Sequence, residues 1–491
     1  MTTDAPSLNA TNGAVLRVAI AYLVVGLGTV AVMGLLGVLM RLDHAGMLLV
    51  SPDWFYRIMT LHGSGMITGL LFASFGGLAA VISAEVHLSS RALWIGLVLY
   101  LTAMMLVVLA IVFGRFAAGW TVLDPLPYQG KTWTESAGVV AYAGYLVTGL
   151  AIVVVCGAML RGTTAARGGL RRALAWEVLF HPKRPSPDVT HPPVLIATVT
   201  AIVGLVMVVV GLVYLVPLFL EAAGLVRHVD ALFSKNAVLL FGHTMANLCV
   251  YVAAGMVYGT LPRYAHRPWK TTWPVAAAWN AIILLIFFPW SHHLYQDFAQ
   301  PLGLQILGNL GSFAGGFPSF IVTIVGALAL VYGAGLEWSP TSILMLLGIW
   351  GWAFGGAGAL LDAIVPINQV MHNTMWVAAH FHTYNMVGVA AFAWAYLYHI
   401  TAELSHARER RLDRWAAWLY GIGAVGMVAL LFFEGAHSVP RRYATHDAEW
   451  QGYARAAIPF VAMMVIALGW LGGEMLARVG PAWRRTRIGP L

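Results

Sequence analysis

Long apolar segments recur along the whole chain, and they constrain its fold more than any other feature. An α-helix needs about 20 consecutive, mostly apolar residues to cross the hydrocarbon core of a bilayer. Segments of about that length recur throughout the 491 residues, of which 60% are hydrophobic and only 10% are charged. Soluble domains carry roughly 25% charged residues. The sequence therefore predicts an all-α membrane protein that crosses the bilayer many times.

The apolar segments predict a bundle of about twelve transmembrane helices. Their predicted limits are 16–40, 56–84, 93–114, 136–160, 194–220, 233–261, 273–291, 305–333, 341–365, 374–400, 414–436 and 455–477. No internal repeat and no soluble domain is apparent, so we expect residues 1–491 to form a single transmembrane domain. A polar tail, 1–15, precedes the first helix, and the longest polar stretch, 161–193, contains several prolines and is predicted to be a loop.

Basic residues cluster in alternate loops, which predicts the orientation in the membrane. The basic residues of one side are Arg91, Arg161, Arg167, Arg171, Arg172, Lys183, Arg184, Arg263, Arg267, Lys270, Arg408, Arg410, Arg411, Arg414, Arg478, Arg484, Arg485 and Arg487. By the positive-inside rule this side is cytoplasmic, and both termini are then cytoplasmic as well. Topology thus explains the net charge of +8, and the surface is expected to meet membrane lipid and no nucleic acid.

The apolar segment Met371–Ala393 carries two histidines, His380 and His382. Each residue of a helix is turned by about 100° from the one before it. Residues two positions apart therefore point roughly 200° apart, so the two imidazoles face opposite sides. A histidine inside the membrane is costly without a partner. Two large cofactors, each bound axially through an imidazole, would satisfy both side chains. The alternative is a pair of neutral histidines that hydrogen-bond to neighbouring helices.

Four more histidines fall inside predicted helices or at the end of one, and with the first two they share the outer half of the membrane. They are His62, His243, His292 and His293. Histidines that served only local packing would not be expected to share one depth. His62 and one histidine of the tenth helix can supply both axial ligands of a haem, and the other tenth-helix histidine can bind a second haem on one face.

The remaining histidines predict a site for a third metal. His292 and His293 lie at the end of a predicted helix, where the backbone need not stay regular, and His243 can join them. Three imidazoles suit copper or iron rather than magnesium or calcium. A haem with one axial ligand beside such a site forms a two-metal pocket for a small diatomic molecule.

These motifs, taken in order, resemble subunit I of the haem-copper oxidases, a family that includes the nitric oxide reductases. The resemblance covers essentially the whole chain. It includes the region of His62, Phe241–His243, His292–His293, Val377–His382, Gly119–Leu126 and Pro440–Tyr443. The stretches from His292 to Pro301 and from Phe313 to Ser319 are most similar to the B-type branch.

The resemblance implies a role for each of these residues. His62 and His382 correspond to the ligands of a low-spin haem, and His380 to the ligand of a high-spin haem. The other three histidines, His243, His292 and His293, correspond to the ligands of the non-haem metal, copper or iron (CuB or FeB). Arg441 and Arg442 correspond to the pair that binds haem propionates, for which guanidinium geometry is well suited. Both haems are expected to be b-type.

The resemblance also implies partners and a location. The substrate would be a diatomic gas, NO or O₂. The chain has no Cys-x-x-Cys-His motif and no cupredoxin ligand set, so electrons must come from another protein or from quinol. We expect cytochrome c, a cupredoxin or quinol as the donor, and a smaller subunit that carries a cupredoxin or cytochrome c domain. The expected location is the cytoplasmic membrane of a bacterium or archaeon.

One position departs from the family's oxygen reductases. In their A and B branches, a tyrosine linked to a metal-ligand histidine lies four residues after it, where this chain has Asn247. The C branch places the tyrosine on the seventh helix, but 271–291 contains none. Tyr251 is about 80° further round the helix and another turn deeper, and Tyr295 lies beyond the histidine pair. Familiar nitric oxide reductases have a glutamate at the position of Asn247.

Three functions remain open, and the electron count favours the first. Reduction of two NO molecules to N₂O takes two electrons and breaks no O–O bond. One-step cleavage of O₂ takes four electrons, one of them from the linked tyrosine, so O₂ reduction here would need an atypical site that recruits Tyr251. The third possibility is a haem sensor or electron conduit without catalysis, which the intact three-histidine site disfavours. Asn247 shares a helix face with His243, so its amide is expected to point into the pocket.

Overall fold

The computed structural model describes residues 13–119, 133–181, 188–297 and 299–486. Regular structure in these ranges is helical, and one isolated β-bridge joins Thr374 to Pro440. The helices are α1 (Gly13–His44), α2 (Pro52–Ile82), α3 (Ser90–Val112), α4 (Glu135–Ala166), α5 (Leu170–Ala173), α6 (Trp176–Phe180), α7 (Pro192–Ala222), α8 (Ala231–Ala265), α9 (Trp273–Leu285), a 3₁₀ segment (Pro289–Leu294), α10 (Leu302–Val331), α11 (Pro340–Asp362), α12 (Val365–Met371), α13 (Met375–His382), a π-helical segment (Thr383–Ala390), α14 (Ala391–Ser405), α15 (Arg411–Ala436) and α16 (Ala448–Arg485).

Ten helices in the described ranges are long and apolar enough to cross a membrane: α1 to α4, α7, α8, α10, α11, α15 and α16. The other two predicted spans are interrupted. The span 273–291 divides into α9 and the 3₁₀ segment, and the span 374–400 into α13, the π-helical segment and α14. A bundle of twelve crossings, with both termini in the cytoplasm, therefore stays a prediction.

Proline explains the first interruption. Its ring clashes with the carbonyl group four residues earlier and it has no N–H to donate. Pro289 would meet the carbonyl of Leu285, which is the residue at which α9 ends. The chain then continues as a 3₁₀ segment that carries His292 and His293. A sequence feature thus places both histidines on irregular backbone.

The prediction of a loop over 161–193 is wrong in part. Helix α4 continues through Arg161 to Ala166, and the short helices α5 and α6 follow. Straight-chain arginine and alanine favour helix, so a basic stretch need not be irregular. Residues 182–187 of this stretch, and residues 1–12 of the predicted tail, lie outside the described residues.

Consecutive helices pack side by side, and the last helix returns to the first. Helix α1 packs against α2, α3 against α4, α7 against α8, and α16 against both α15 and α1. Close approach depends on small residues, as it does in other membrane bundles. A Cβ atom on Gly26 of α1 would lie 2.6 Å from the carbonyl oxygen of Gly69 on α2. Helix α2, which carries His62, is the most enclosed of the ten long helices.

A buried carboxylate fastens α14, α15 and α16 together. Asp413, whose side chain is 0% exposed, accepts hydrogen bonds from the Tyr398 hydroxyl at 2.7 Å, the Trp470 indole at 3.0 Å and the Arg478 guanidinium at 3.0 Å. Each oxygen of the carboxylate is therefore satisfied inside the protein. The three helices share one polar contact, and its loss would leave the buried Arg478 with only the longer contact to Glu474 Oε2 at 3.3 Å.

We expect Asp413→Ala to lower the thermal midpoint Tm of the solubilised protein by several degrees, measured by tryptophan fluorescence. Removing one partner of a buried ion pair costs roughly 3–5 kcal/mol in soluble proteins. Glu409→Ala is the matched control, because the Glu409–Arg414 pair is 30% and 47% exposed and exposed pairs contribute only about 0–1 kcal/mol. Equal Tm values for the two variants would contradict the structural role of Asp413.

Candidate functional site

A cavity of about 1710 Å³ lies within the bundle. Typical pockets for one drug-sized ligand measure roughly 300–1,000 Å³, so this cavity has room for more than one large group. Its lining includes every site residue that the sequence predicts: His62, His243, Asn247, His292, His293, His380, His382, Arg441 and Arg442. Residues from three α-helices, the 3₁₀ segment and one loop, separated by up to 380 positions in sequence, therefore meet around one space.

Three of the histidines form a group that can hold one metal ion. His243 comes from α8, and His292 and His293 come from the 3₁₀ segment; one ligand atom from each lies within 4.8 Å of the others. The centroid of the His243 ring lies 5.1 Å from that of His292 and 5.4 Å from that of His293. Two nitrogens on one ion, each bonded at about 2.1 Å, are at most roughly 4.2 Å apart. A small rotation of the rings would complete the set, and three imidazoles fit copper or iron.

Neighbouring polar groups orient these imidazoles. The Nδ1 atom of His292 lies 2.8 Å from the Ser312 hydroxyl, and the Nδ1 atom of His243 lies 3.1 Å from Asn247 Nδ2. Metal-binding histidines usually donate their second ring N–H to an acceptor. The Ser312 oxygen can accept from His292, and Asn247 can accept from His243 once its amide turns its oxygen, in place of Nδ2, towards Nδ1. Asn247 therefore lines the cavity and contacts a candidate ligand. Ser312 was not predicted, because it lies 20 residues from His292 and only the packing of α10 on the 3₁₀ segment brings them together.

His62 of α2 and His382 of α13 face each other across the cavity. Each Nδ1 atom lies 2.7 Å from a backbone carbonyl oxygen, that of Met33 for His62 and that of Ala378 for His382. Both Nε2 atoms are thereby left for another partner. The rings are nearly parallel, at 19°, with centroids 6.2 Å apart.

The separation of these two rings fits one metal ion between them. A metal–nitrogen bond is about 2.0–2.1 Å and a ring nitrogen lies about 1.1–1.2 Å from its ring centre, so two axial imidazoles have centroids roughly 6.3 Å apart. The observed 6.2 Å agrees. Gly37 of α1 makes the approach possible, since a Cβ atom there would lie 2.9 Å from the His62 ring. The residues present therefore fit a haem with two axial histidines.

His380 lies on the same helix as His382 but has different neighbours. It is 7% exposed, its Nδ1 atom has no hydrogen-bond partner, and its Nε2 atom lies 3.4 Å from Asp362 Oδ2. Both carboxylate oxygens of Asp362 also lack hydrogen bonds. Buried polar atoms are rarely left unpaired, so orphaned atoms beside a large cavity indicate a missing group. A haem with His380 as its protein ligand would fit this observation.

Arg441 and Arg442 lie in the loop between α15 and α16 and line the cavity from that end. The Arg441 Nη2 atom lies 3.4 Å from His372 Nε2, and its Nε atom has no partner. Burial and the adjacent Arg442 lower the pKa of Arg441 to about 9. Two neighbouring guanidinium groups are stabilised by bound anions, and the geometry of a carboxylate matches that of a guanidinium group. Haem propionates are therefore compatible with this pair.

A line of hydroxyl groups leads away from the cavity along α8 and α10. Tyr251 lines the cavity, and the Ser319 side chain neighbours its phenol group. The Thr323 hydroxyl donates to the Ser319 carbonyl at 2.7 Å, and the Tyr258 hydroxyl lies 2.9 Å from that of Thr323. This line is not among the sequence predictions. The spacing could have indicated it, because Tyr251 and Tyr258, seven apart on α8, share a helix face, as do Ser319 and Thr323, four apart on α10.

Of the motif that runs from residue 119 to residue 126, the structure describes only Gly119. The N–H group of Gly119 donates to the Thr60 hydroxyl at 3.0 Å, and Gly119 lines the cavity with a φ of +73°. The remainder of the motif, 120–126, lies outside the described residues.

Comparisons with known proteins agree with this architecture. Residues 17–469 match the family model described as cytochrome c and quinol oxidase polypeptide I. Cytochrome c oxidase subunit 1 of Thermus thermophilus is 26% identical over 300 residues, which are 57% of this chain and 52% of that protein. The probable cytochrome c oxidase subunit 1 of Bradyrhizobium diazoefficiens is 25% identical over 439 residues, 85% of this chain and 62% of that protein.

A quinol oxidase subunit 1 from Bacillus subtilis is 21% identical over 415 residues, which are 81% of this chain and 61% of that protein. The matches thus span between half and two thirds of the length of these curated relatives. A chain from the cryo-EM structure of a heme-copper terminal oxidase dimer superposes with a TM-score of 0.83 at 17% identity, covering 95% of this chain and 84% of that one. At that identity the superposition establishes the fold alone.

We expect His243→Ala, His292→Ala and His293→Ala each to remove most of the non-haem metal while both haems remain, because each variant deletes one of three ligands. Elemental analysis and haem quantification on the purified protein would measure this. His372→Ala is the control, since its ring lies 6.4 Å from that of His293 but belongs to no three-ligand group. Full metal occupancy in all three variants would place the metal elsewhere.

His62→Ala should abolish the absorption spectrum of a six-coordinate, low-spin haem, because the paired ring across from His382 is lost. A five-coordinate haem should persist in the same sample. Cys249→Ala is the control. The Cys249 thiol of α8 lies near Ile67 on the helix that carries His62, but outside the cavity lining, so the spectrum should stay unchanged. Retention of the six-coordinate spectrum in His62→Ala would contradict the assignment of this pair.

Proposed function

Because this chain belongs to the cytochrome c and quinol oxidase polypeptide I family, we propose that it is the catalytic subunit of a respiratory reductase that converts NO into N₂O. The observation that carries the choice of substrate is Asn247. It lies one helical turn beyond His243, with its amide nitrogen 3.1 Å from that imidazole. This is the position at which the resemblance implies a linked tyrosine in A- and B-type oxygen reductases.

The proposed cofactors follow from the pairing of the histidines. We assign His62 and His382 to a low-spin haem, His380 to a high-spin haem, and His243, His292 and His293 to copper or iron. When bound, these groups would supply electrons and coordination sites for the gas. The chain's own contribution is to orient six imidazoles around one cavity and to exclude water from it with the apolar faces of the surrounding helices.

The electron balance distinguishes the two gases. Two NO, two electrons and two protons give N₂O and one water molecule, and no O–O bond is broken. One-step O₂ cleavage takes four electrons, and in the related oxidases the linked tyrosine supplies one. A carboxamide cannot be oxidised in that role. The Asn247 amide can instead hold the His243 ring in position through its Nδ1 atom and present a polar group to the cavity.

Protons are proposed to reach the cavity along the hydroxyl line of α8 and α10. Hydroxyl groups both donate and accept hydrogen bonds, so they can pass protons. Thr323 contacts Ser319 through a backbone carbonyl, and a water molecule would have to bridge their two hydroxyl groups. Tyr258 and Thr323 make direct contact at 2.9 Å, and Tyr251 lies at the cavity. Two protons per N₂O are required, and a single line of this kind can supply both in succession.

Reduction of O₂ is the second candidate. The curated relatives are cytochrome c oxidases and quinol oxidases by name. Tyr251 lines the same cavity as Asn247 and packs edge-on against Trp279 and Trp352. In this reading Tyr251 supplies the fourth electron from a position two turns beyond His243. A sensor or conduit without catalysis would have no use for the three-histidine group.

The surrounding assembly is part of the same proposal. The chain would form one transmembrane domain in the cytoplasmic membrane of a bacterium or archaeon. Electrons would come from cytochrome c, a cupredoxin or quinol, and a smaller subunit with a cupredoxin or cytochrome c domain would deliver them. Such a subunit would dock near Arg441 and Arg442, the side on which the proposed propionates emerge.

The purified complex should turn over NO at least about tenfold faster than O₂ with the same electron donor. Asn247→Ala should slow NO reduction roughly 10–100-fold, the usual cost of removing the partner of a metal-bound histidine, with haem and metal content preserved. Asn236→Ala, on the same helix but outside the cavity, should leave turnover unchanged. Fast O₂ consumption by the wild type, with NO acting only as an inhibitor, would overturn the proposal in favour of the oxidase.

A further inference from the structure

A buried ion pair joins the first long helix to one near the end of the chain. Arg41 of α1 and Glu434 of α15 are 4% and 1% exposed. The Nη1 atom of Arg41 donates to Glu434 Oε2 at 2.9 Å, and its Nη2 atom donates to Oε1. The contact is therefore the two-pronged arrangement that suits guanidinium and carboxylate. Taking two charges out of water is costly, so the position of this pair invites an explanation.

The pair lies beside the His62–His382 site. Met33, Gly37 and Arg41 follow one another at four-residue intervals on one face of α1. The Met33 carbonyl binds His62, a Cβ atom on Gly37 would touch the His62 ring, and Arg41 comes one turn later. Arg41 lines the cavity together with His62 and His382.

The other titratable groups near Arg41 are neutral or directed elsewhere. His44 and His446 stack with centroids 3.7 Å apart, and burial, with the charge of Arg41, lowers the pKa of His446 to about 4. His446 is therefore neutral at pH 7. The Asp43 carboxylate accepts the Val50 N–H at 2.9 Å. Glu434 is thus the negative group that directly opposes the guanidinium.

We propose that Glu434 sets the midpoint potential of the low-spin haem by cancelling the charge of Arg41. This inference rests on the proposed assignment of His62 and His382, and it is independent of the choice between NO and O₂. A nearby positive charge favours the reduced haem, which carries one positive charge fewer than the oxidised haem. An unopposed Arg41 would raise the potential, and Glu434 offsets that effect. Glu434 is a positioning residue here, because it acts through Arg41.

A purely structural role makes different predictions. Buried ion pairs contribute little net stability, and well-packed apolar replacements often serve as well. If the pair only joined α1 to α15, neutralising Glu434 would change folding or haem retention and leave the potential of any remaining haem unchanged. The potential is therefore the measurement that separates the two roles.

The experiment is a spectroelectrochemical titration of the low-spin haem in the purified complex. In Glu434→Gln, Arg41 keeps its charge beside a neutral amide of the same shape. A unit charge about 10 Å away, at an effective dielectric constant of about 20, changes an equilibrium roughly tenfold. We expect the ratio of reduced to oxidised haem at fixed potential to rise roughly tenfold, which for one electron is a rise of about 59 mV in midpoint. Glu434→Asp, which keeps the charge, should stay within about threefold of the wild-type ratio.

The matched control is Glu403→Gln. Glu403 also forms a two-pronged pair, with Arg263 at 2.6 and 3.1 Å, but both lie outside the cavity lining near the far end of α8. Its loss should leave the midpoint unchanged. Arg41→Gln completes the set, because its midpoint should fall or stay constant and should not rise.

Each result supports or overturns the inference. A Glu434→Gln complex with an intact six-coordinate spectrum and a wild-type midpoint would overturn it, as would equal shifts in Glu434→Gln and Glu434→Asp. If Glu434→Gln does not retain haem, a raised midpoint in Arg41→Gln overturns it, and a lowered or constant one supports it. Absence of a six-coordinate haem from the wild type would instead contradict the assignment of His62 and His382, a failure of the proposed function.

Discussion

The site depends on which partner each of the two ring nitrogens of a buried imidazole has, one in the protein and the other in the cavity. A histidine inside an apolar bundle must satisfy both, because water is not available to do so. In His62 and His382 a backbone carbonyl oxygen takes Nδ1 and the Nε2 atom faces the cavity; in His292 a serine hydroxyl takes Nδ1. The helices therefore fix the direction of these three rings before any cofactor is bound. Such preorganisation of ligands is the protein's part in tuning a metal site.

The helices can do this because two of the predicted spans are interrupted at residues that line the cavity. The end of α9 before Pro289 allows two consecutive histidines to approach His243. The π-helical segment follows directly after His382, and π-helical turns are frequent at functional sites. The long helices α3, α4 and α7 retain the simple pairwise packing of a membrane bundle. Irregular backbone is tolerated because it lines a cavity and does not face lipid.

Much of the site could be predicted from the sequence, since histidines are rare and costly in apolar segments. His243, His292 and His293, which the sequence grouped, lie within reach of one ion in the structure. The partners of these residues could not be predicted. Ser312, the Met33 carbonyl and Glu434 reach the site through packing between helices that are distant in sequence, and polarity alone does not show it. The partial helices inside 161–193 differ from the loop predicted from its polarity and prolines, because those prolines all lie in 182–193 and the arginine and alanine before them favour helix.

The side chains named along the line from Tyr251 to Tyr258 carry hydroxyl groups and no carboxylate, and this limits how the line can pass protons. A carboxylate can keep a proton between events, whereas a neutral hydroxyl returns each proton that it receives almost at once. After one proton has passed, every O–H bond along the line points the wrong way for the next. The hydroxyls must rotate back before a second transfer. A conduit of this kind delivers charge in single pulses, and its recovery time sets an upper limit on the rate of any reaction that it supplies.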